Sequence, residues 1–290
     1  MTMTDRLDLL QTFVRVAEEG ALSRAAAVEG ISQPSVSRRI KALETLTGAR
    51  LIHRTTHHQE LTDEGRRLLA VAREILGDWD AAMDELGDQE PRGLLHVAAP
   101  VGLGQTLLAD EAATFLAKYP AVTIKWTLTD EPVDLIAGAA DIRISVGAPK
   151  DDRLVVRKLM RVERVLVAAP SLAEAQSALS TLPLITLEPF YSGQLTLKDK
   201  KGRTQSISAR VAMTSNNISA VLRAVLSGAG MALLPTWLVE PEITRGALTR
   251  VASHLSGEPF DITLAYDPTR GRPARLTKFV EHIAKSSWTD

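Results

Sequence analysis

The chain has 290 residues, six histidines, no cysteine and a formal net charge of −1. The lack of cysteine excludes a disulfide framework, a thiolate metal site and a cysteine redox switch. A chain of this length with 45% hydrophobic residues is expected to form two or three compact units.

The first ten residues are polar and charged, which argues against a signal peptide, and no apolar run reaches the ~18 residues of a membrane span. We therefore expect a cytoplasmic protein. Apolar residues recur at helical spacing from Leu7 to Glu19 and stop at Gly20, which predicts a first helix that packs within a core.

Two short helices around a tight turn are predicted between Leu22 and Leu46. Small residues such as Ala25 allow close packing, and Gly30 falls in the turn. Ser32 is a candidate N-cap of the second helix, and Pro34 lies in its first turn, where a missing N–H is tolerated. This combination is typical of a helix-turn-helix.

The outward positions of the second helix carry side chains that can contact base edges and phosphates in a major groove. A basic helix face is more often only a solvated surface, but here it coincides with the cap and the turn. Between Ser32 and Arg54, five Lys and Arg residues oppose one acid, a local charge of +4 that suits a phosphate-contacting module. The predicted DNA contacts are Ser32, Gln33, Pro34, Ser35, Ser37, Arg38, Arg39, Lys41 and Arg54.

A small β-hairpin wing is predicted from Leu51 to Leu61. The stretch ISQPSVSRRIKALETLTGARLIHRT, followed by LTDEG, resembles the DNA-binding segment of the LysR-type transcriptional regulators, which implies a winged helix-turn-helix. The chain departs from that pattern at Glu29, where the family usually has an apolar residue. We expect Val28 to take over this packing role through a small rotation.

A long helix is predicted from about Asp63 to Gly87, capped by Thr62. Its apolar stripe might lie on its own domain, but residues 63–90 hold nine acids against three bases and connect two domains. A dimerisation helix is therefore preferred, as the resemblance also implies, in a homodimer or homotetramer. The predicted seam residues are Leu68, Ala72, Ile75, Trp79 and Leu86.

From about residue 91, strands and helices alternate as in an α/β domain. The stretches PRGLLHVAAPVGLG, FLAKYPAVTI, VLVAAPS and GAGMALLP resemble the effector domain of LysR-type regulators, which is similar to periplasmic binding proteins. The predicted fold is α/β with an all-α-rich N-terminal module. Its parts are a winged helix-turn-helix (1–61), a linker and dimerisation helix (62–90) and a two-lobed effector domain (91–290), with lobe I at about 91–167 and 267–290 and lobe II at about 168–266.

A cleft between two α/β lobes is the usual location of a small ligand. The turn around Gly102 and the segment Asn216-Asn217 precede predicted helices, whose N–H groups would favour an anionic effector. Alternatively, these residues only permit a turn and cap a helix. In DIRISVG, Arg143 is shifted from the family's D-x-x-x-R-x-G position and Ser145 stands near its place. The predicted effector contacts are Pro100, Val101, Gly102, Thr129, Ser145, Asn216, Asn217 and Pro235.

No catalytic motif or nucleotide-binding fingerprint is present, so no catalytic residue and no cofactor are predicted. His53, His57 and His58 fall in the wing without a carboxylate or thiolate to complete a metal site, and phosphate contact or exposure is expected instead. We therefore expect a LysR-type regulator that binds double-stranded DNA and a small organic effector. The alternative is a cytoplasmic solute-binding or metabolic protein with an accessory N-terminal helical domain.

Overall fold

The N-terminal unit is three helices followed by a two-stranded hairpin. The structure, a computed structural model, describes residues 6–54, 59–86, 90–136, 138–174, 179–188 and 194–286. The first elements are α1 (Arg6–Glu19), α2 (Leu22–Glu29), α3 (Gln33–Thr47), β1 (Ile52–Arg54) and β2 (Gln59–Leu61). The two strands are antiparallel, with Ile52 opposite Leu61. This is the predicted winged helix-turn-helix.

One apolar core holds the three helices together. Phe13 of α1, Ala25 of α2 and Val36 of α3 are fully buried in it. Gly30 ends α2 with φ +66°, in the left-handed region that favours glycine. This glycine therefore permits the tight turn predicted between α2 and α3.

Val28 does not replace the apolar residue that Glu29 displaces. The Val28 side chain is 55% exposed, whereas Glu29 is partly buried and accepts a hydrogen bond from Thr12 Oγ1 at 2.9 Å. Arg39 Nη1 lies 3.4 Å from the same carboxylate. Because this charge has a donor and a cation beside it, it is tolerated in a half-buried position. The expected packing role of Val28 was wrong.

The linker helix α4 (Asp63–Leu86) begins at the predicted residue. Thr62 Oγ1 accepts a hydrogen bond from the Gly65 N–H at 2.9 Å and donates to the Arg50 carbonyl at 2.7 Å. Gly65 leaves no room for a side chain against the Leu51 carbonyl. The cap therefore starts the helix and also holds the wing against it.

The rest of the chain alternates between strands and helices, as predicted. In chain order the elements are β3 (Gly93–Ala99), α5 (Val101–Gly104), α6 (Leu107–Lys118), β4 (Val122–Leu128), β5 (Ile142–Val146), β6 (Val155–Val162), β7 (Arg164–Ala168), α7 (Pro170–Glu174), β8 (Leu184–Leu187), β9 (Leu195–Asp199), β10 (Thr204–Ile207), β11 (Val211–Ser215), α8 (Ile218–Leu226), β12 (Ala232–Pro235), α9 (Thr236–Thr244), β13 (Thr249–Arg250), β14 (Leu255–Ser256), β15 (Phe260–Tyr266) and α10 (Ala274–Lys285). Within the described ranges, no helix combines the length and the hydropathy needed to cross a membrane.

Lobe I is a five-stranded sheet covered by α6 and α10. The strand order is β4-β3-β5-β15-β6, in which β3 runs parallel to β4 and β5, and β15 runs antiparallel to both of its neighbours. Phe115 of α6 and Phe279 of α10 are fully buried and meet edge to face, with ring centroids 5.1 Å apart. The C-terminal helix therefore completes the core of lobe I.

Lobe II contains three smaller sheets, with strand orders β12-β7-β13, β11-β8 and β10-β9-β14. Strand β8 runs parallel to β11, and Leu184 also bridges to Met231 beside β12. Helices α8 and α9 contribute Val221, Val225 and Val239, which are all fully buried. Lobe II thus has an apolar core of its own.

The chain crosses between the lobes at residues other than the predicted boundaries near 168 and 266. Strand β7 pairs within lobe II, and β15 lies inside the sheet of lobe I. The first crossing is at Glu163 and the second lies between Ser256 and Phe260. Because proline ends strands, Pro170 favours a first boundary near residue 168. The observed first crossing, at Glu163, instead falls in a run without glycine or proline, so no breaker residue marks it.

The alternation of strands and helices also predicts a short helix over Val133 to Ala139, and this helix is absent where the segment is described. Residues 133–136 are not helical, and Gly138 has φ +77°. Leu135 is buried against Ala98 and Ala265 of the lobe I sheet. The apolar residues that suggested a helix instead belong to a loop that covers the sheet.

Candidate DNA-binding and effector-binding sites

Helix α3 presents its N-terminal turns to solvent. Ser32 Oγ accepts a hydrogen bond from the Ser35 N–H at 3.3 Å, and Pro34 occupies the first turn. Two of the predicted DNA contacts, Ser35 and Ser37, are half-buried. The predicted DNA contacts that are exposed on this helix and its cap are Ser32, Gln33, Pro34, Arg38 and Lys41. The helix therefore has a well-defined start and an exposed polar face.

Among the described residues, Arg38 donates hydrogen bonds only to neutral groups. Its Nη2 donates to Ser35 Oγ at 3.1 Å and its Nε to the Pro34 carbonyl at 3.4 Å. Ser35 Oγ in turn lies 2.8 Å from Ser32 Oγ. Because none of these partners is charged, the guanidinium remains able to bind a phosphate or a guanine edge.

Arg39 turns toward the neighbouring helices and not toward the exposed side of α3. Its Nη1 donates to Thr12 Oγ1 at 3.0 Å and lies 3.4 Å from Glu29, and its Nη2 lies 3.8 Å from Asp8. Consecutive helical residues point about 100° apart, so Arg38 and Arg39 face different surroundings. The predicted DNA contact of Arg39 is contradicted by this geometry, in which Arg39 joins the three helices.

The acid of the basic segment, Glu44, attaches the wing to α3. Its Oε1 accepts a hydrogen bond from the Leu51 N–H at 2.9 Å. The side chain of Arg54 and the residues His57 and His58 lie outside the described part of the chain. Among the side chains that are described, no cluster of three His, Asp or Glu residues is arranged to hold a metal ion.

The linker helix leaves one apolar stripe in solvent. Val71, Ile75 and Trp79 are 48%, 43% and 49% exposed, and their spacing of four places them on one face. Leu68 and Ala72, predicted at the seam, instead pack on the winged-helix core, and Ala72 has no exposed surface. The side chain of Leu86 is not described. The open stripe is therefore shifted toward Val71, which was not among the predicted seam residues.

The linker helix is also fixed to lobe I of its own chain. Arg73 donates to the Gly138 carbonyl and lies 3.2 Å from Glu18 of α1. One arginine of the linker helix thus contacts both the DNA-binding unit and lobe I. Arg275 of α10 forms a second connection, to Asp80.

A cavity of about 430 Å³ lies between the two lobes. Its wall in lobe I comes from β5 and from the turns after β3 and β4, and its wall in lobe II comes from β8, β9 and the starts of α8 and α9. Six predicted contacts line it, namely Pro100, Gly102, Thr129, Ser145, Asn216 and Pro235. The carboxyl ends of β3, β4, β11 and β12 therefore meet at one cavity.

The other two predicted contacts, Val101 and Asn217, do not line this cavity. The Val101 N–H donates to Asp130 Oδ1 at 3.2 Å. Asn217 Oδ1 accepts from the Ser219 and Ala220 N–H groups at 3.0 and 3.1 Å. The Asn217 side chain thus already binds the first N–H groups of α8. Helix α5 has only four residues, which is too short to provide a helix N-terminus for an anion. The argument for an anionic effector from helix N-termini was wrong, so a preference for anions must come from side chains.

Two of the six lining residues are already engaged. Ser145 is buried, and its Oγ donates to the Gly147 carbonyl at 3.2 Å. Gly102 lies against lobe II, because a methyl group placed on it would come within 2.5 Å of Ile218 Cγ2. The lobes therefore touch at Gly102, and neither residue is the main polar group of the cavity.

Two donors in the cavity wall were missed. Arg143 lies on the same face of β5 as Ser145, since alternate residues of a strand share a face. Burial lowers the pKa of its guanidinium, and no described residue gives it an acceptor or a counterion. Trp237 lies in the first turn of α9, and its buried Nε1 has no hydrogen-bond partner among the described residues. The shifted arginine of DIRISVG was a visible signal, whereas nothing in its local sequence distinguishes Trp237 from a core residue.

Arg164 holds the two crossings between the lobes together. Its Nε donates to the Glu258 carbonyl at 2.8 Å, and its own carbonyl accepts from the Gly257 N–H at 2.9 Å. Its guanidinium also lies 5.8 Å from the ring centroid of Phe260. Burial lowers the pKa of this guanidinium. The two crossings are thus bonded side by side at the edge of the cavity.

Sequence comparison matches both parts of the chain to one family. Residues 7–66 match the family described as "Bacterial regulatory helix-turn-helix protein, lysR family", and residues 88–288 match "LysR substrate binding domain". The chain is 31% identical to the HTH-type transcriptional regulator PtxR of Pseudomonas aeruginosa, over 96% of this chain and 91% of PtxR. It is 32% identical to DmlR of Escherichia coli, over 96% and 93% of the two chains.

Solved structures show the same architecture over nearly the whole length. CrgA of Neisseria meningitidis, a LysR-type transcriptional regulator, is 28% identical with a TM-score of 0.60, covering 96% of this chain and 97% of CrgA. The full-length virulence activator AphB of Vibrio cholerae is 24% identical with a TM-score of 0.60, covering 96% of this chain and 98% of AphB, and this likeness concerns the fold alone.

Proposed function

This chain belongs to the LysR family of bacterial transcriptional regulators, and we propose that it binds its operator through α3 and the wing while an effector between the lobes changes that binding. It is a DNA-binding regulator and not an enzyme, since the matched families and the named relatives are those of regulators. The alternative of a solute-binding or metabolic protein is therefore wrong.

The exposed N-terminal half of α3 is the observation that carries the assignment of the DNA-reading surface. Arg38 and Lys41 are exposed, while Glu44 is turned to the wing. Arginine and glutamine can each form two hydrogen bonds to one base, and lysine binds phosphates as a point charge. We assign base contacts to Gln33 and Arg38. The contacts to the sugar-phosphate backbone of the DNA are assigned to Ser32, Pro34, Ser35, Ser37, Lys41 and Arg54.

The exposed stripe of α4 supports association of two chains through this helix. Three large apolar side chains on one helical face, Val71, Ile75 and Trp79, resemble one half of a coiled-coil seam. Two such helices would place two copies of α3 on one operator. We propose units at residues 1–61, 62–90 and 91–290, a homodimer or homotetramer, and action in the cytoplasm, where the DNA is.

The effector site is the cavity between lobes I and II. Its wall combines apolar side chains with polar and charged groups, as in pockets for small organic molecules. The lobes are joined by two adjacent crossings, so a ligand that contacts both lobes would change how they sit relative to each other.

The test is retention of a labelled DNA fragment from upstream of the coding sequence by the purified full-length chain. We expect a specific complex that unlabelled upstream DNA displaces and random duplex of equal length does not. Equal displacement by both DNAs, or no complex at low salt, would contradict operator binding.

A further inference from the structure

We infer that the effector of this regulator is a monocarboxylate with an apolar body, and that Arg143 is the group that receives its carboxylate. The inference rests on the proposed function, because it names the class of ligand for the cavity between the lobes. It is carried by Arg143, Trp237 and the distribution of charge around them.

Arg143 is a partly buried cation without a described partner. Arginine remains charged at physiological pH even when its pKa is lowered. A charge that is removed from water is normally compensated by an ion pair or by hydrogen bonds, and the described residues supply neither. A carboxylate fits this guanidinium through two parallel hydrogen bonds. The bound ligand would therefore supply the missing counterion.

The acids of the cavity restrict the charge that the ligand can carry. None of them forms an ion pair with Arg143 in the described part of the chain. Glu258 pairs with Lys198, and Asp130 accepts the Val101 N–H. The lining acids are Asp130, Glu131, Glu188 and Glu258. The other two lining cations, Lys198 and Arg164, are engaged with Glu258. The remaining acids therefore repel a ligand with several negative groups, and one carboxylate is favoured over a polyacid or a phosphate ester.

Apolar side chains from both lobes line the cavity and fit an apolar body with one hydrogen-bond acceptor. They include Leu103 and Phe260 of lobe I and Leu184, Leu187, Leu233 and Trp237 of lobe II. The buried Nε1 of Trp237 is a donor without a described partner. An unsatisfied buried donor is unfavourable, and Nε1 has almost no exposed surface, so a ligand oxygen gains this hydrogen bond when the indole turns toward it. A ligand with hydroxyl groups on every side would lose hydrogen bonds where it meets these apolar side chains.

The experiment uses the purified full-length chain and two matched pairs of probes, benzoate with benzamide and hexanoate with hexanamide, followed by saturation-transfer NMR. We expect both acids to bind with a Kd of about 1 mM or lower, and each amide to bind about tenfold more weakly. Arg143→Met should weaken the acids by about tenfold and abolish the difference. Arg157→Met, an exposed arginine of β6 outside the cavity, should leave both affinities unchanged.

Two further variants keep the test decisive. Arg143→Lys retains the charge and should retain part of the preference for acids, even if Arg143→Met folds poorly. Trp237→Phe retains the aromatic ring without Nε1 and should weaken the acids by a factor of a few. The proposal is overturned if neither acid binds at about 10 mM, if acid and amide bind equally, or if removing Arg143 leaves acid binding unchanged.

Operator retention by the same preparations separates this proposal from the proposed function. DNA is bound by a different domain, so the Arg143 variants should retain the upstream fragment as well as the unchanged chain does. Retention without a preference for acids would refute the carboxylate site alone. A preference for acids without retention would refute the operator assignment alone.

Discussion

Arg275 of the C-terminal helix and Asp80 of the linker helix form an ion pair, with Nη1 and Oδ2 2.7 Å apart. Arg275 is mostly buried, and its Nε also donates to the Leu94 carbonyl at 2.8 Å. Nearby, a methyl group on Gly271 would lie 2.8 Å from the Gly77 carbonyl oxygen, so lobe I and the linker helix touch backbone to backbone. A displacement of lobe I is therefore transmitted to the helix that follows the DNA-binding unit.

Arg275→Met should release the linker helix from lobe I. The loss of a mostly buried pair that leaves Asp80 without its partner is worth about 1–3 kcal/mol. Amide hydrogen exchange of residues 73–80 in the linker helix should become faster. Lys278→Met, which removes an exposed ion pair on α10, the helix of Arg275, should have no effect on this exchange. Combining Asp80→Arg with Arg275→Asp should restore part of the protection. Unchanged exchange in Arg275→Met would show that other contacts hold the helix.

Arg38→Ala and Arg39→Ala should have opposite effects although the residues are adjacent. Loss of Arg38 should weaken operator binding by about 1–3 kcal/mol and leave stability unchanged. Loss of Arg39 should lower the free energy of unfolding by about 1–3 kcal/mol, because Glu29 then lacks its cation and Thr12 Oγ1 lacks its donor. Competition binding with specific and random duplexes, together with urea unfolding, measures both. The reverse pattern would assign the DNA contact to Arg39.

Ile75→Asp should dissociate the oligomer without unfolding the chain. The residue is 43% exposed in one chain, so a charge there is costly only if a second chain covers it. Ala72→Asp should unfold the N-terminal unit, because that position has no exposed surface. Sedimentation and circular dichroism distinguish these results, with Glu74→Ala on the same helix as control. A folded Ile75→Asp chain that remains fully associated would remove the stripe from the interface.

Gly102→Ala should strain the contact between the lobes. The added methyl group would meet Ile218 Cγ2 at 2.5 Å, and overpacking of this kind costs about 1–3 kcal/mol. Ile218→Ala in the same chain should recover much of the loss. Urea unfolding of the two single variants and the double variant gives the coupling energy. If the two effects simply add, the glycine is not required for this contact.

Stability should decrease in mild acid because of His96. Burial lowers its pKa to about 4, and Lys125 and Arg73 add repulsion. The unfolded chain, with a histidine pKa near 6.5, therefore takes up the proton first, so stability is lost as the pH falls from about 6.5 to about 4. The loss is on the order of 1–2 kcal/mol, because the ring is partly exposed. His96→Gln should remove this dependence in urea unfolding at pH 7 and pH 5.

The N-terminal unit was predictable because its determinants are local. The cap at Ser32, the turn glycine Gly30 and the cap at Thr62 each act within a few residues, so their meaning does not depend on distant contacts. The alternation of strands and helices in the effector domain was predictable for the same reason. The predicted elements therefore occur in the predicted order, except for the helix at Val133 to Ala139.

The remaining errors concern contacts between residues distant in sequence. The burial of Glu29 depends on Thr12. The crossing at Glu163 depends on the pairing of the next strand, β7, with β12 and β13, which are distant in sequence. Arg38 and Arg39 are identical as residue types and differ only in what α1 and α2 place beside them. Arg143 could be noticed as displaced, but its lack of a counterion among the described residues appears only when the surrounding loops are assembled.

Lobe II is one continuous segment inserted between two strands that are neighbours in lobe I. Residues 164–256 leave the ribosome before β15 does, yet β15 lies between β5 and β6. Until it arrives, β5 has an open edge and β6 lacks its described partner. Unpaired strand edges promote aggregation, and non-local strand pairing is slow. A released chain truncated shortly before residue 260 would thus carry a complete lobe II beside an open sheet, and would be a preferred substrate for chaperones that hold exposed strands.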